Sequence, residues 1–140
     1  MSRSFEPTVV VEAPRPPLRP DEARCLLRAL ARRLQVPHAS VAVVFADDAM
    51  LRELNRRYRG KNRPTDVLSF PAEGDEHLGD IVVSSETTRR QGRRRGHGAA
   101  REAKILLIHG FLHLLGYDHD VDDGEMEALE RTLLQEMIER

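Results

Sequence analysis

The stretch HGFLHLLGYDH, residues 109–119, decides how the chain is read. Apolar residues fill most of the gaps between its histidines, and ILLI at 105–108 precedes it. This pattern predicts a buried helix from about Ala99 to Leu115, stopped by Gly116. Four residues along a helix is about 400° of rotation, so His109 and His113 share one face, one turn apart. Gly116 tolerates φ > 0 and permits a sharp turn, after which His119 can swing back toward the pair. Three imidazoles leave a tetrahedral zinc ion one open position, the arrangement of a catalytic rather than a closed structural site. Zinc lowers the pKa of water in that position to about 7. One Zn2+ per chain is the expectation, although imidazole also suits nickel, copper and iron.

The spacing equals that of the metzincin pattern HExxHxxGxxH, with one departure. Those proteases carry a general-base glutamate directly after the first histidine. Gly110 stands there and cannot take a proton. The helix therefore reads as a zincin-like metal cradle without the peptidase base. Asp118 is a nearby carboxylate, and two roles stay open for it: proton acceptor, or partner orienting an imidazole N–H. His38, His77 and His97 show no ligand spacing and read as loop or surface residues.

Outward from this helix, the elements alternate. TVVVEA at 8–13 reads as a strand. The proline-rich 13–20 is an extended linker. Apolar positions Ala23, Leu26, Leu27, Leu30, Ala31 and Leu34 predict an amphipathic helix over 21–35, ended by Val36 and Pro37. SVAVVFA at 40–46 is a buried strand. Asp47 is placed to cap a helix through about Tyr58, and 59–66 is a loop. VLSF at 67–70 and DIVVS at 80–84 are strands, and their short turn-rich link suggests an antiparallel pair. Ser84 or Ser85 caps a helix to about Arg95, weakened by Gly92. A last helix spans about 123–139, with Met126, Leu129, Leu133, Met137 and Ile138 on one face. The expectation is one α+β domain over 1–140, a small mixed four-stranded sheet with packed helices.

The chain has 140 residues, with 22 basic and 23 acidic side chains. That length fits one domain with a real core. Cys25 is the sole cysteine, which excludes an internal disulfide and multi-cysteine zinc sites and fits a reducing compartment. No run of about 18 apolar residues exists, and the N-terminus lacks the features of a secretory signal. A cytoplasmic protein without a membrane partner is expected. The near-zero net charge hides segregation. Residues 52–63 carry six cations and 89–104 carry seven, whereas the last 23 residues carry nine acids. Local patches of this kind set the field that a polyanion meets. Arg93 and Arg94, directly before the metal-binding helix, are weaker candidates for a wall facing such a polyanion, for example a nucleic acid. Six phenylalanines and tyrosines and no tryptophan leave few candidates for base stacking.

The 109–119 stretch resembles the signature of the YbeY family, HGxLHLxGYDH, at every fixed position. Leu54-Asn55, YRGK at 58–61, PTDVLSFP at 64–71 and LGDIVVS at 78–84 are similar to it too. The resemblance covers about residues 40–135. It implies a zincin-like α+β fold with His109, His113 and His119 as zinc ligands. It implies a zinc-dependent endoribonuclease that cleaves single-stranded rRNA, matures the 3′ end of 16S rRNA and serves ribosome quality control. Implied partners are the small ribosomal subunit, ribosomal protein S11 and the GTPase Era. The family's arginine linked to cleavage carries over to Arg59, which stands with His109 as catalytic. A guanidinium suits that role, since phosphodiester cleavage builds negative charge on the non-bridging oxygens. Lys61 and Arg63 are weaker candidates for holding RNA phosphates. Asp66 reads as a loop anchor, Asp80 as a turn residue or a partner behind the metal, and Ser69 and Phe70 as the floor of the site. Two other readings compete: a zinc metallopeptidase, and a non-catalytic ribosome-assembly factor in which zinc is structural.

Overall fold

A computed structural model describes residues 5–36, 39–74 and 76–139. Pro37 and His38 lie outside the described residues. The chain runs β1(Glu6–Val11), α1(Pro20–Arg33), β2(Ser40–Ala46), α2(Asp48–Arg59), β3(Val67–Pro71), β4(His77–Ser84), α3(Ser85–Arg94), α4(Gly98–Leu114) and α5(Glu125–Met137). The four strands form one sheet in the order β1-β2-β4-β3. β1 and β4 pair parallel to β2, while β3 pairs antiparallel to β4. The sheet is mixed, and the expected α+β domain is found.

Alternation along the strands divides the apolar residues between two faces. Val41, Val43 and Phe45 of β2 and Ile81 and Val83 of β4 join the main core with α1, α4 and α5. Val82, Leu68 and Leu51 form a smaller cluster under α2, with Val44 and Phe70 packed against it.

Caps place the helix starts. The Asp47 carboxylate accepts from the Met50 N–H at 2.9 Å, and the Ser84 hydroxyl accepts from the Thr87 N–H at 3.2 Å. The α2 and α3 N-termini also hold each other. Asp48 accepts from Ser84 Oγ at 2.5 Å, Thr87 Oγ1 at 2.6 Å and Arg90 at 2.7 Å. Glu86 accepts from the Asp48 N–H at 2.8 Å. Burial pushes the Asp48 carboxyl up, but these hydroxyls and the Arg90 guanidinium outweigh it and hold the group below its ordinary value.

Two histidines read as loop or surface residues have structural partners instead. His77 opens β4, within hydrogen-bonding distance of Ser40 and Asp80. His97 and Arg95 both donate to Glu102, a carboxylate with no exposed surface, at 2.7 and 2.8 Å. This pairing fixes the α3–α4 junction. Gly92 packs on Gly98 and Ala99 there, where a Cβ would meet backbone at 2.3 Å. The tight junction is why α3 carries glycine in its last turn. No described helix is long and apolar enough to cross a membrane.

Candidate metal centre and cleft

α4 presents His109 and His113 side by side, their rings edge to face at 4.5 Å. The helix then ends in a Schellman arrangement. The Gly116 N–H donates to the His113 carbonyl at 3.0 Å and the Tyr117 N–H to the Leu112 carbonyl at 3.1 Å, with Gly116 at φ 100°. This turn sends the chain back over α4. His119 stacks on His109 at 5.3 Å, and its ring lies 6.3 Å from His113. All three sequence-predicted ligands are thus brought together.

A fourth group completes the cluster. Glu130 of α5 accepts at one oxygen from His109 Nδ1–H at 2.9 Å and His119 Nε2–H at 2.8 Å. His113 Nδ1–H donates to the Tyr117 carbonyl at 2.9 Å. These outer partners set ring orientation, and His113 Nε2 lies 3.0 Å from His109 Nε2. Such a pair is held together by a shared proton or by a metal ion between the two nitrogens. Donors bound to one tetrahedral zinc sit at a comparable separation, about 3.3 Å for bonds of about 2.05 Å. His109, His119 and Glu130 also offer one donor atom each within 4.8 Å of one another. His113 falls outside that trio, but its contact with His109 Nε2 places it in the same cluster. The group could hold a metal ion, and its imidazole and carboxylate donors are those zinc takes.

Electrostatics fit this arrangement. Burial lowers the His113 pKa and the neighbouring His109 lowers it further, which favours the neutral ring that a metal takes. Burial raises the Glu130 carboxyl, but the hydrogen bonds from His109 and His119, and their charge when they are protonated, outweigh it and lower the group below its ordinary value. Asp118 accepts from the Asp120 N–H at 2.9 Å. Among the described residues the imidazole-orienting groups are therefore Glu130 and the Tyr117 carbonyl.

The pair opens into a cleft of about 530 Å³ lined by His109, His113, Asp118, Tyr58, Arg59 and β3 from Val67 to Pro71. Ser69 and Phe70 lie in its wall, as expected. Arg59 is the last residue of α2 rather than a loop residue, with Gly60 following at φ 69°. Arg59 also lines an adjoining cavity of about 330 Å³ with Lys61, Arg63, Asn55, Thr87 and Gln91. Arg93 and Arg94 are exposed and line neither cavity. They end α3 just before the α3–α4 junction, and Gln91, one turn before Arg94, lines the cavity that Arg59 shares.

Gly110 explains the departure from the protease pattern. It faces the sheet, not the cleft: a Cβ there would meet Ile81 Cγ2 at 2.8 Å and Ser69 Oγ at 3.1 Å. Ser69 donates to the Gly110 carbonyl at 3.0 Å and pins the helix on β3. A glutamate at 110 would press into the core.

A profile described as endoribonuclease YbeY matches residues 20–138. The chain belongs to the YbeY family. Among its relatives, the endoribonuclease YbeY of Moorella thermoacetica is 45% identical over 126 residues, covering 79% of this chain and 81% of its own. That of Aquifex aeolicus is 47% identical over 105 residues, covering 71% and 69%. The solution structure of TM1509 from Thermotoga maritima matches with a TM-score of 0.66 and 27% identity, over 93% of this chain and 87% of that one. In this YbeY chain the group missed from sequence is Glu130. It is one of nine acids after Gly116, but it alone falls in step with Met126, Leu133 and Met137 on the inward stripe of α5. A carboxylate on an apolar stripe was the available signal.

Proposed function

We propose that the chain is a zinc-dependent endoribonuclease for single-stranded RNA that acts in the cytoplasm on rRNA. Its role is maturation of the 16S rRNA 3′ end and ribosome quality control. The observation that carries this reading is the single cleft onto which His109, His113 and Arg59 all open. Zinc, held by His109, His113 and His119, would supply Lewis acidity and a bound water of lowered pKa. The chain's own groups do the rest. Glu130 and the Tyr117 carbonyl hold the Nδ1 sides of His109 and His113, so that their Nε2 atoms turn to the same point. Arg59 grips the scissile phosphate with its planar fork and takes up the charge that grows on the non-bridging oxygens. Lys61 and Arg63 hold neighbouring phosphates along the adjoining cavity. Arg93 and Arg94 add a weaker contribution. The small ribosomal subunit, S11 and Era are the proposed partners. The peptidase reading loses ground because position 110 has no room for the base it needs.

The test is cleavage of an end-labelled single-stranded rRNA fragment by wild type, Arg59→Ala and His109→Ala, with metal content read on the same samples. Cleavage by wild type alone, with zinc kept in Arg59→Ala and lost in His109→Ala, supports the reading. Equal cleavage by all three identifies a contaminant. Tight zinc without cleavage of any RNA, ribosomal particles included, overturns it.

A further inference from the structure

The few aromatic side chains are unevenly placed. Phe45 and Phe111 are buried in the core, and Phe5 packs edge-on against Phe111. The other three, Tyr58, Phe70 and Tyr117, all line the cleft. Tyr58 is the one exposed aromatic among the described residues, at 60%. It is not loose. Phe70 of β3 meets it edge to face, with centroids 5.2 Å apart and planes at 66°. The ring is braced on one side and open to solvent elsewhere. Nothing in the fold requires an aromatic there, because its ring leaves most of its apolar surface in water. Its neighbour Arg59 opens on the same cleft.

We propose that Tyr58, braced by Phe70, is a stacking platform for one base of the RNA strand, adjacent to the phosphate held by Arg59. The inference rests on the endoribonuclease reading above and assigns a base-binding residue within it. Every base has a π-face, so the platform is tolerant of sequence. It discriminates by strand state instead. A base in a duplex is already stacked on both faces and must be extracted before it can reach the ring. Single-strand selectivity then has a source in this chain besides the shape of the cleft. The platform positions the substrate and takes no part in proton transfer.

The chain has no tryptophan, so Tyr58→Trp creates a single fluorescent reporter at the platform. The zinc-loaded protein is mixed with a short oligoadenylate, and with a ribose-phosphate oligomer of equal length that lacks bases. Emission is read on mixing, before cleavage. The expected result is quenching by the oligoadenylate and none by the abasic strand. In filter binding, Tyr58→Ala weakens oligoadenylate binding by about 5- to 150-fold, the range for loss of one stacked base. Tyr58→Phe stays within about twofold of wild type. The salt slope of Tyr58→Ala is unchanged, because no cation is lost. If wild type binds the oligoadenylate but Tyr58→Ala binds equally well, or Tyr58→Trp is not quenched, the platform is refuted and the endoribonuclease reading stands. If wild type binds and cleaves no single-stranded RNA, that reading falls, and the platform with it.

Discussion

Replacing Glu130 tests whether the outer partner of the histidines governs the metal centre. One carboxylate oxygen takes two ring N–H groups, at 2.9 and 2.8 Å, with the side chain 20% exposed. Hydrogen bonds to a charged group contribute about 1.5–3 kcal/mol each and neutral ones about 1 kcal/mol. Glu130→Gln keeps an acceptor oxygen but loses its charge, so the metal-free protein should lose about 2 kcal/mol. Glu130→Ala removes both bonds and should lose about 3 kcal/mol, discounted for partial exposure. Loss of an outer partner weakens metal binding by about 10- to 100-fold. Urea denaturation of the metal-free proteins reads the first effect, and chelator competition for zinc reads the second. The pH dependence has a definite sign. Glu130 is depressed in the folded state, so its contribution is full above the unfolded value of about 4.3. It fades as pH falls through the lower folded value. The gap between wild type and Glu130→Gln should therefore close in acid. Zinc affinity within twofold of wild type in Glu130→Ala, or a larger loss in Asp118→Ala, would refute the assignment.

Three further outcomes follow from the packing. Asp48→Ala removes three acceptor contacts that tie α2 to α3 and should cost about 3 kcal/mol in urea denaturation; because Asp48 is depressed in the folded state, the difference from wild type should shrink as pH falls below about 4. Gly110→Glu, which restores the protease pattern, should misfold or lose several kcal/mol as its side chain is driven onto Ile81; a folded variant showing zinc-dependent casein digestion would contradict the packing argument. Lys61→Ala and Arg63→Ala should each reduce the salt slope of RNA binding by about one, and Arg93→Ala and Arg94→Ala by less; the reverse order would place the strand along α3 instead of the Arg59 cavities.

Local order was legible in the residues themselves. The i, i+4 pair His109 and His113, the turn at Gly116, the caps Asp47 and Ser84 and the alternation in β2 all act within a few residues, where helix and strand periodicity set direction. These features fixed the α+β class and the three imidazoles of the centre. Contacts across the sequence belong to the tertiary structure. Glu130 reaches His109 from 21 residues away, through the docking of α5 on α4. Arg59 shares a cleft with His109 and His113 because α2 ends beside the β3 wall. Arg93 and Arg94 close α3, and whether they face the cleft depends on how α3 packs beside α4. Gly110, too, reads in sequence as a missing base. Only its contact with Ile81 and Ser69 reveals a helix pressed so close to the sheet that no side chain fits. Periodicity fixes which face a residue takes on its own element. What that face meets is decided by how elements from distant parts of the chain pack to bury their apolar stripes.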